Sequence, residues 1–324
     1  MSAAVNFSML IMSESKTIKP KALKSNPLTS ETSKRRSSTS LLFNLHFILL
    51  FISTWCLLFY FAPSPLDQLL DYAVFSVLGI IGAIFANSTG AGGGVIFIPM
   101  FNQLHFSEQQ ALATSFAIQC FGMTAGAFTW LNHYRQHKSH LRVWRGFKTI
   151  IALASTCSIL GLSLVYYAHF SSPSSLHYAF SWFSFILGGA LLAVLRFTQP
   201  ERERSTLSNI DIVALIIISF IGGVITAWLS VGIGELLAVY LILRRFDVTM
   251  AVAIAVVVSA MSVWFAIWQH TFVNFAVYWQ VVLFAGPSAV LGGIFARTLV
   301  THLSARKLKL FFALWLLISA LVSF

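Results

Sequence analysis

The chain has 324 residues, of which 57% are hydrophobic and only 10% are charged. Soluble domains carry about 25% charged residues, so this composition excludes an ordinary soluble protein and predicts that most of the surface lies in lipid. The net charge of +11 does not indicate nucleic-acid binding, because most basic residues lie in the N-terminal segment and in loops between apolar runs. The cysteines, Cys56, Cys120 and Cys157, lie in apolar runs, which predicts buried thiols and no disulfide framework.

The N-terminal part of the chain divides into a polar and an apolar segment. Residues 1–40 are rich in Ser, Thr and Lys, which predicts a disordered basic cytoplasmic tail. The apolar run over 41–62 has the length of a full membrane span, so we interpret it as an extra, uncleaved N-terminal transmembrane helix. The apolar region of a signal peptide is the alternative.

Ten further apolar runs follow, at about 72–88, 92–104, 111–131, 147–168, 177–196, 211–228, 232–243, 251–270, 276–296 and 306–324. Most are long enough to cross about 30 Å of hydrocarbon. The runs that begin at Gly92 and Gly232 would rise only about 20 Å as helices. We interpret each short run and the run before it as a hairpin that turns inside the membrane at its glycines. Two thin spans are the alternative, since both arrangements return to the same side.

The basic residues orient this path, because Lys and Arg mark cytoplasmic loops. The basic clusters at 135–148, 196–204, 244–245 and 297–309 all fall on the side of the N-terminal tail. The first hairpin then opens to the outside and the second opens to the cytoplasm. A first repeat over 72–196, a cytoplasmic linker over 197–210 and a second repeat over 211–324 are therefore predicted to be related by inversion.

The predicted fold is an all-α polytopic membrane protein of two inverted repeats with one extra N-terminal helix. Each repeat is a glycine-broken helical hairpin plus three transmembrane helices. We expect a multi-pass protein of the cell membrane, with the N-terminus in the cytoplasm and the C-terminus outside.

The two glycine-broken segments, 82–95 and 222–235, are also related in sequence. Identical residues recur at a constant offset of 140, at Gly82/Gly222, Gly92/Gly232, Gly94/Gly234, Ala111/Ala251 and Ala113/Ala253. Glycine-broken apolar segments in corresponding positions of two halves are the best sequence indication of a transporter's binding site.

The stretch GAIFANSTGAGGGVIFIP, the following Ala111-Leu-Ala-Thr-Ser115 and the later SVGIGE and AVAIA resemble the TauE/SafE family of membrane permeases. The resemblance covers about residues 72–324. It implies two related halves and export of small sulfur-containing anions such as sulfite or organosulfonates. The second half departs from the family pattern because Ile254 and Ala255 replace the Thr-Ser pair, so the resemblance does not imply a symmetric polar site.

The second arm of each predicted hairpin begins at its glycines, where a helix N-terminus has unpaired N–H groups and about half a positive charge. Glycine also lets an anion approach the backbone closely. We therefore predict that a small anion binds between the two N-termini without a buried Lys or Arg. The alternatives are close helix packing for the glycines and bonds to their own helix for the hydroxyls. The candidate substrate-binding residues are Asn87, Ser88, Thr89, Gly90, Gly92, Gly93, Gly94, Thr114, Ser115, Gln119, Ser230, Gly232 and Gly234.

Glu235 is the one acidic residue deep in an apolar run. A carboxylate inside the membrane is expensive and is a functional candidate by default. We predict that Glu235 couples substrate movement to the proton gradient. The alternative is a favourable charge at a helix N-terminus.

No HExxH motif, GxSxG motif or pair of carboxylates in the apolar runs indicates catalysis, so we predict no enzyme, no catalytic residue and no cofactor. His133, His137 and His140 are spaced loosely like metal ligands, but interleaved basic residues would repel a cation, so no metal site is predicted.

The predicted function is a secondary transporter that exports small anions. An anion channel, a membrane-embedded enzyme and a cation transporter are the alternatives. The expected partners are a small anionic substrate and the lipid bilayer, without nucleic acid. The sequence leaves the oligomeric state open, and a homodimer is one of the alternatives.

Overall fold

The computed structural model of the protein describes residues 49, 51–57, 60, 71–168, 176–197 and 204–322. The predicted tail over 1–40, much of the predicted helix over 41–62, the loop at 171–175 and part of the linker at 197–210 lie outside the described residues. The chain divides into two units, 1–61 and 62–324. The described part of the first unit contains a helix over 51–57.

The described residues of the second unit form helices joined by short turns, without a strand. Its helices are α1 (Val74–Thr89), α2 (Gly94–Gln103), α3 (Glu108–His133), α4 (Phe147–Tyr167), α5 (Leu176–Phe197), α6 (Asn209–Leu229), α7 (Ile233–Leu243), α8 (Val248–Trp268), α9 (Trp279–His302) and α10 (Ala305–Val322). A turn of π-helix continues α3 over Tyr134–Lys138 and α8 over Gln269–Val273.

Five helical segments of the described chain are long and apolar enough to cross a membrane: Glu108–Lys138, Arg142–Tyr167, Asn209–Leu229, Val248–Val273 and Trp279–His302. The spans formed by α3 and α8 are each 78% buried inside the protein, whereas the other three are 39–50% buried. The protein is therefore a multi-pass membrane protein in which α3 and α8 form the centre and the other spans present wide apolar faces to lipid.

The chain leaves the helical conformation at both glycine-containing segments, at the positions expected from the sequence. Gly90 follows α1 with a φ of 81° and Ser230 follows α6 with a φ of 57°. A residue in the left-handed region ends a helix, and glycine adopts that conformation without a steric cost. The first arms have 16 and 21 residues, whereas the returning arms α2 and α7 have only 10 and 11.

The two hairpin turns touch each other through glycine. A Cβ atom added to Gly94 would lie 2.6 Å from the carbonyl oxygen of Ser230, and one added to Gly234 would run into the carbonyl oxygen of Gly90. Gly94 and Gly234 differ by 140 positions, as do Gly90 and Ser230. The two approaches are therefore reciprocal, and both require a residue without a side chain.

Helix packing follows a reciprocal pattern as well. Helix α1 packs on α9, and α6 packs on α4; α3 packs on α8, and α5 packs on α10. Glycines allow some of these close contacts, since a Cβ on Gly223 of α6 would strike the carbonyl of Ser158 on α4. Packing by small residues substitutes for the hydrophobic effect between helices in lipid.

One end of the helix bundle is tied together around Asp211, in the first turn of α6. The fully buried Asp211 carboxylate accepts hydrogen bonds from the Arg244 Nε at 2.6 Å, the Tyr240 hydroxyl at 3.0 Å and the Ser208 N–H at 2.9 Å. Arg204 adds an ion pair at 3.5 Å. Because Arg244 follows α7 directly, these bonds clamp the two arms of the second hairpin at the same end.

Other loop segments that carry basic residues lie at the same end. The segment before α6 contacts the start of α4, because the side chain of Leu207 lies next to Gly146. Lys138 interacts electrostatically with Asp247, the N-cap of α8, and Arg297 of α9 interacts with His133. We call this end, with residues 133–148, 204–211, 244–247 and 297, the basic end.

At the opposite end the Tyr72 hydroxyl is hydrogen-bonded to the Tyr278 hydroxyl at 2.8 Å. This bond and partial burial raise the pKa of Tyr72 to about 12, so Tyr72 stays neutral. Phe106 packs edge-on against the Tyr278 ring, 5.2 Å between centroids. The start of α1, the loop after α2 and the start of α9 therefore meet at this end.

Adding a methyl group at a turn glycine should destabilise the protein. Gly94→Ala forces the turns apart, and overpacking of this kind costs about 1–3 kcal/mol. Gly189→Ala on α5 is the control, because an added Cβ there meets no atom within 4 Å and alanine favours helix over glycine. We expect a lower thermal unfolding midpoint in detergent for Gly94→Ala and an equal or higher one for Gly189→Ala. Equal midpoints for the two variants would contradict the close packing of the turns.

Removing the carboxylate at the basic end should also destabilise the fold. Asp211→Ala leaves Arg244 and Tyr240 without their acceptor; the loss is about 1–2 kcal/mol, since hydrogen bonds to charged groups are strong but Arg244 is partly exposed to screening. Asp71 lies 140 residues earlier and is exposed, so Asp71→Ala should change stability by less than about 0.5 kcal/mol. Denaturant unfolding of both variants measures the difference, and an equal loss would refute the clamp.

Candidate functional site

The two hairpin turns are joined by a single carboxylate. Glu235 lies in the first turn of α7 and is fully buried. Its Oε1 accepts a hydrogen bond from the Gly92 N–H at 2.8 Å, and its Oε2 accepts one from the Gly232 N–H at 2.7 Å. Two N–H groups from the two halves of the chain therefore converge on one carboxyl group. A carboxylate in the third helical position commonly bonds back to the N-cap N–H, and here the second oxygen also reaches the other turn.

Beside this carboxylate, Gln119 of α3 connects both turns. Its Oε1 accepts the Gly93 N–H at 2.8 Å, while its Nε2 donates to the Ser230 hydroxyl at 2.7 Å and the Ser115 hydroxyl at 3.0 Å. The Ser115 and Ser230 hydroxyls are 3.0 Å apart. Ser115 lies one turn before Gln119 on the same helix face, which explains why the two side chains reach the same point.

Two threonines cap the breaks from within the hairpins. The Thr89 hydroxyl donates to the Phe85 carbonyl at 2.8 Å and accepts the Ala91 N–H at 3.2 Å. The Thr226 hydroxyl donates to the Gly222 carbonyl at 2.7 Å and accepts the Ile233 N–H at 2.9 Å. Thr226 was not predicted, although a threonine near the end of a helix that breaks is a recognisable capping signal.

The remaining predicted polar residues have no hydrogen bond to the Glu235 carboxylate. Asn87 donates to the carbonyls of Ala83 and Gly122, and its buried Oδ1 has no partner. Ser88 is buried and its hydroxyl also has no partner. The Thr114 hydroxyl accepts the Tyr278 N–H at 3.0 Å, before α9. The structure thus brings Ser115, Gln119, Ser230 and the glycines together at the turns, and directs Thr114 elsewhere.

Ser259 of α8 is a polar residue at the turns that sequence reasoning missed. It is buried, its hydroxyl has no hydrogen-bond partner, and a Cβ added to Gly234 would lie 2.5 Å from its Oγ. The signal was present in the sequence, because Ser259 lies 140 residues after Gln119. Each central helix therefore presents one polar side chain to the start of one returning arm.

The turns leave little empty space. A cavity of about 10 Å³ beside Gln119 is lined by residues that include Asn87, Gly93 and Phe97. This volume is at the lower limit for one water molecule, so the arrangement is closed to a polyatomic anion.

Within the described part of the chain, no group of three or more His, Cys, Asp or Glu side chains is arranged to hold a metal ion. His133 stacks on His137 with ring centroids 5.1 Å apart and packs edge-on against Trp130 and Trp144. These contacts make His133 part of an aromatic cluster at the basic end.

Comparison with known proteins identifies the family. The model of the sulfite exporter TauE/SafE family matches residues 75–323, close to the range over which the sequence resembles that family. No curated protein and no solved structure matches the chain. Because the match covers most of the chain, including both hairpins and all the helices α3 to α10, the protein belongs to the sulfite exporter TauE/SafE family.

Proposed function

We propose that the protein is a secondary transporter that exports a small sulfur-containing anion, sulfite or an organosulfonate, and binds it where the two hairpin turns meet. Membership of a transporter family for sulfur anions supports the class of function. The observation that carries the site is the convergence of the Gly92 and Gly232 N–H groups on one carboxylate, because that arrangement of donors fits any small oxyanion.

The binding site proposed here uses backbone dipoles in place of a buried cation. Helices α2 and α7 begin at the turns, and each N-terminus contributes about half a positive charge. Gln119, Ser115 and Ser230 supply further polar atoms within the same contact network. Among the described residues, both ion pairs lie at Asp211, at the basic end. A site without a fixed cation binds an anion moderately, which favours release after transport.

An inverted repeat is part of the proposal. The contacts at the two ends support it, since the first hairpin returns to the end that carries Tyr72 and Tyr278, and the second returns to the basic end. Exchanging α1–α5 with α6–α10 also converts the α1–α9 contact into the α6–α4 contact. The basic end is then cytoplasmic by the positive-inside rule. Alternating access follows if one repeat rocks against the other around the turns.

The proposal is tested by flux of radiolabelled sulfite in proteoliposomes, with thiosulfate, sulfoacetate and taurine as competitors. We expect saturable flux that the anionic competitors reduce. Flux that rises linearly with concentration would indicate a channel, and an absence of flux or competition for all these solutes would contradict the proposed substrate class.

Loss of the Gln119 amide should impair transport. Gln119→Leu keeps much of the side-chain volume but leaves the Gly93 N–H and the Ser230 hydroxyl without partners, at a cost of about 1–3 kcal/mol for each unsatisfied group. We expect at least a tenfold decrease in flux per folded protein. Glu108→Gln is the control, because Glu108 is an exposed carboxylate in the first turn of the same helix. Normal flux in Gln119→Leu would show that the Gln119 amide is not part of the binding site.

Proton coupling through Glu235 should be visible in the pH dependence of transport. Glu235→Gln removes the titrating group and preserves its shape, so we expect a folded protein whose taurine or thiosulfate flux no longer responds to an imposed pH gradient. These solutes keep their anionic sulfur group throughout the neutral range, so a response in the wild type belongs to the protein. An unchanged response in Glu235→Gln would contradict the coupling role.

A further inference from the structure

The Glu235 carboxylate occupies the position at which the two hairpin turns can bind an anion. Oε1 lies 2.8 Å from the Gly92 nitrogen and Oε2 lies 2.7 Å from the Gly232 nitrogen. Both lengths lie at the short end of the range for N–H···O hydrogen bonds, where charge-assisted bonds are also found. A sulfite or sulfonate group presents oxygens on one central atom in a similar way to a carboxylate, so it would use the same two N–H groups.

Few titratable residues lie on the helices that pack against Glu235. Helix α7 packs on α5, α6 and α8. Helix α8 has no titratable residue, α6 has only Asp211, at its first turn, and α7 itself adds only Tyr240, which bonds to Asp211. Among the described side chains of α5, Tyr178 is exposed. The turn opposite, Gly90–Gly94, is uncharged. Among the described side chains, hydrogen bonds from the two turns therefore compensate the carboxylate in place of a cation.

A second observation indicates that the turns have binding capacity beyond Glu235. Ser259 is 2% exposed, its hydroxyl has no hydrogen-bond partner, and it lies against Gly234 at the start of α7. Buried hydroxyls are usually paired, and an unpaired one requires an explanation. Its counterpart at the offset of 140, Gln119, is paired with Gly93. An oxyanion at the turns would give the Ser259 hydroxyl an acceptor.

We propose that Glu235 is a tethered competitor of the substrate: its ionised carboxylate fills the oxyanion site, and the substrate anion replaces it there. This inference rests on the proposed function only in placing the substrate at the turns. Protonation weakens the competitor directly. A neutral carboxyl group keeps one acceptor oxygen, and its O–H becomes a donor that faces another N–H donor. One proton gained by Glu235 therefore frees at least one of the two backbone N–H groups for the incoming anion.

The proposal predicts that a free carboxylate can replace the missing side chain. Glu235→Ala removes the tethered anion and leaves the Gly92 and Gly232 N–H groups unpaired. We expect formate and thiosulfate, each added as the sodium salt, to raise the thermal unfolding midpoint of purified Glu235→Ala protein at pH 8. Formate should leave the wild type unchanged, because its site is filled. Glu108→Ala, which removes an exposed carboxylate, is the control and should not respond to formate. No response of folded Glu235→Ala to either anion overturns the proposal.

A second variant keeps the proposal testable where Glu235→Ala does not fold. Glu235→Gln is neutral and retains one acceptor oxygen. We expect its dissociation constant for thiosulfate at pH 8 to be at least tenfold lower than that of the wild type and independent of pH. The wild-type affinity should approach that of the variant as the pH falls. Equal affinities at pH 8 overturn the competitor role.

These results separate the inference from the proposed function. If the wild type transports sulfite but Glu235→Ala does not respond to formate or thiosulfate, the transport function is supported and the competitor role of Glu235 is overturned. Binding of formate and thiosulfate to Glu235→Ala, together with no flux of any sulfur anion by the wild type, retains the competitor role and overturns the proposed transport activity.

Discussion

The structure depends on two buried backbone turns that meet without a side chain between them. Buried backbone N–H groups must be paired within the protein, because an apolar interior offers no other hydrogen-bond partner. The Gly92 and Gly232 N–H groups are paired by Glu235, the Gly93 N–H by Gln119, and the Ile233 N–H by Thr226. This requirement accounts for the glycines, which permit the approach, and for the buried polar residues, which are otherwise costly in an apolar core.

The same pairing explains why the site is asymmetric although the two turns pack reciprocally. One half contributes Gln119, whose amide bonds to both turns, and the other contributes Glu235, whose carboxylate does the same from the opposite half of the chain. The anchoring of the hairpins differs as well. The second hairpin is closed at its base by Asp211 and Arg244, whereas the first has the exposed Asp71 and Leu104 at the positions 140 residues earlier. The second hairpin is therefore the more firmly held of the two at its base.

Much of the architecture could be predicted from sequence, because the determinants are local. Runs of apolar residues set the helices, and Gly90 and the Ser230–Gly232 segment mark the breaks. The contacts inside the site could not be predicted in the same way. Glu235 and Gly92 are 143 residues apart, and their bond depends on how the two halves pack. Thr114 and Ser115 are neighbours, but successive helix positions point about 100° apart, so only Ser115 reaches the turns. Ser259 was overlooked because a single hydroxyl in an apolar helix resembles an ordinary packing residue.

The central claim is that an oxyanion and the Glu235 carboxylate use the same two N–H groups. Crystals grown at low pH with selenite, the selenium analogue of sulfite, provide the most direct measurement, because selenium is located by its anomalous scattering. The account predicts one anomalous peak between the Gly92 and Gly232 nitrogens, with the selenite oxygens within about 3.2 Å of both and the Glu235 side chain moved away from them. Selenite bound elsewhere, with Glu235 still bonded to both turns, would contradict it.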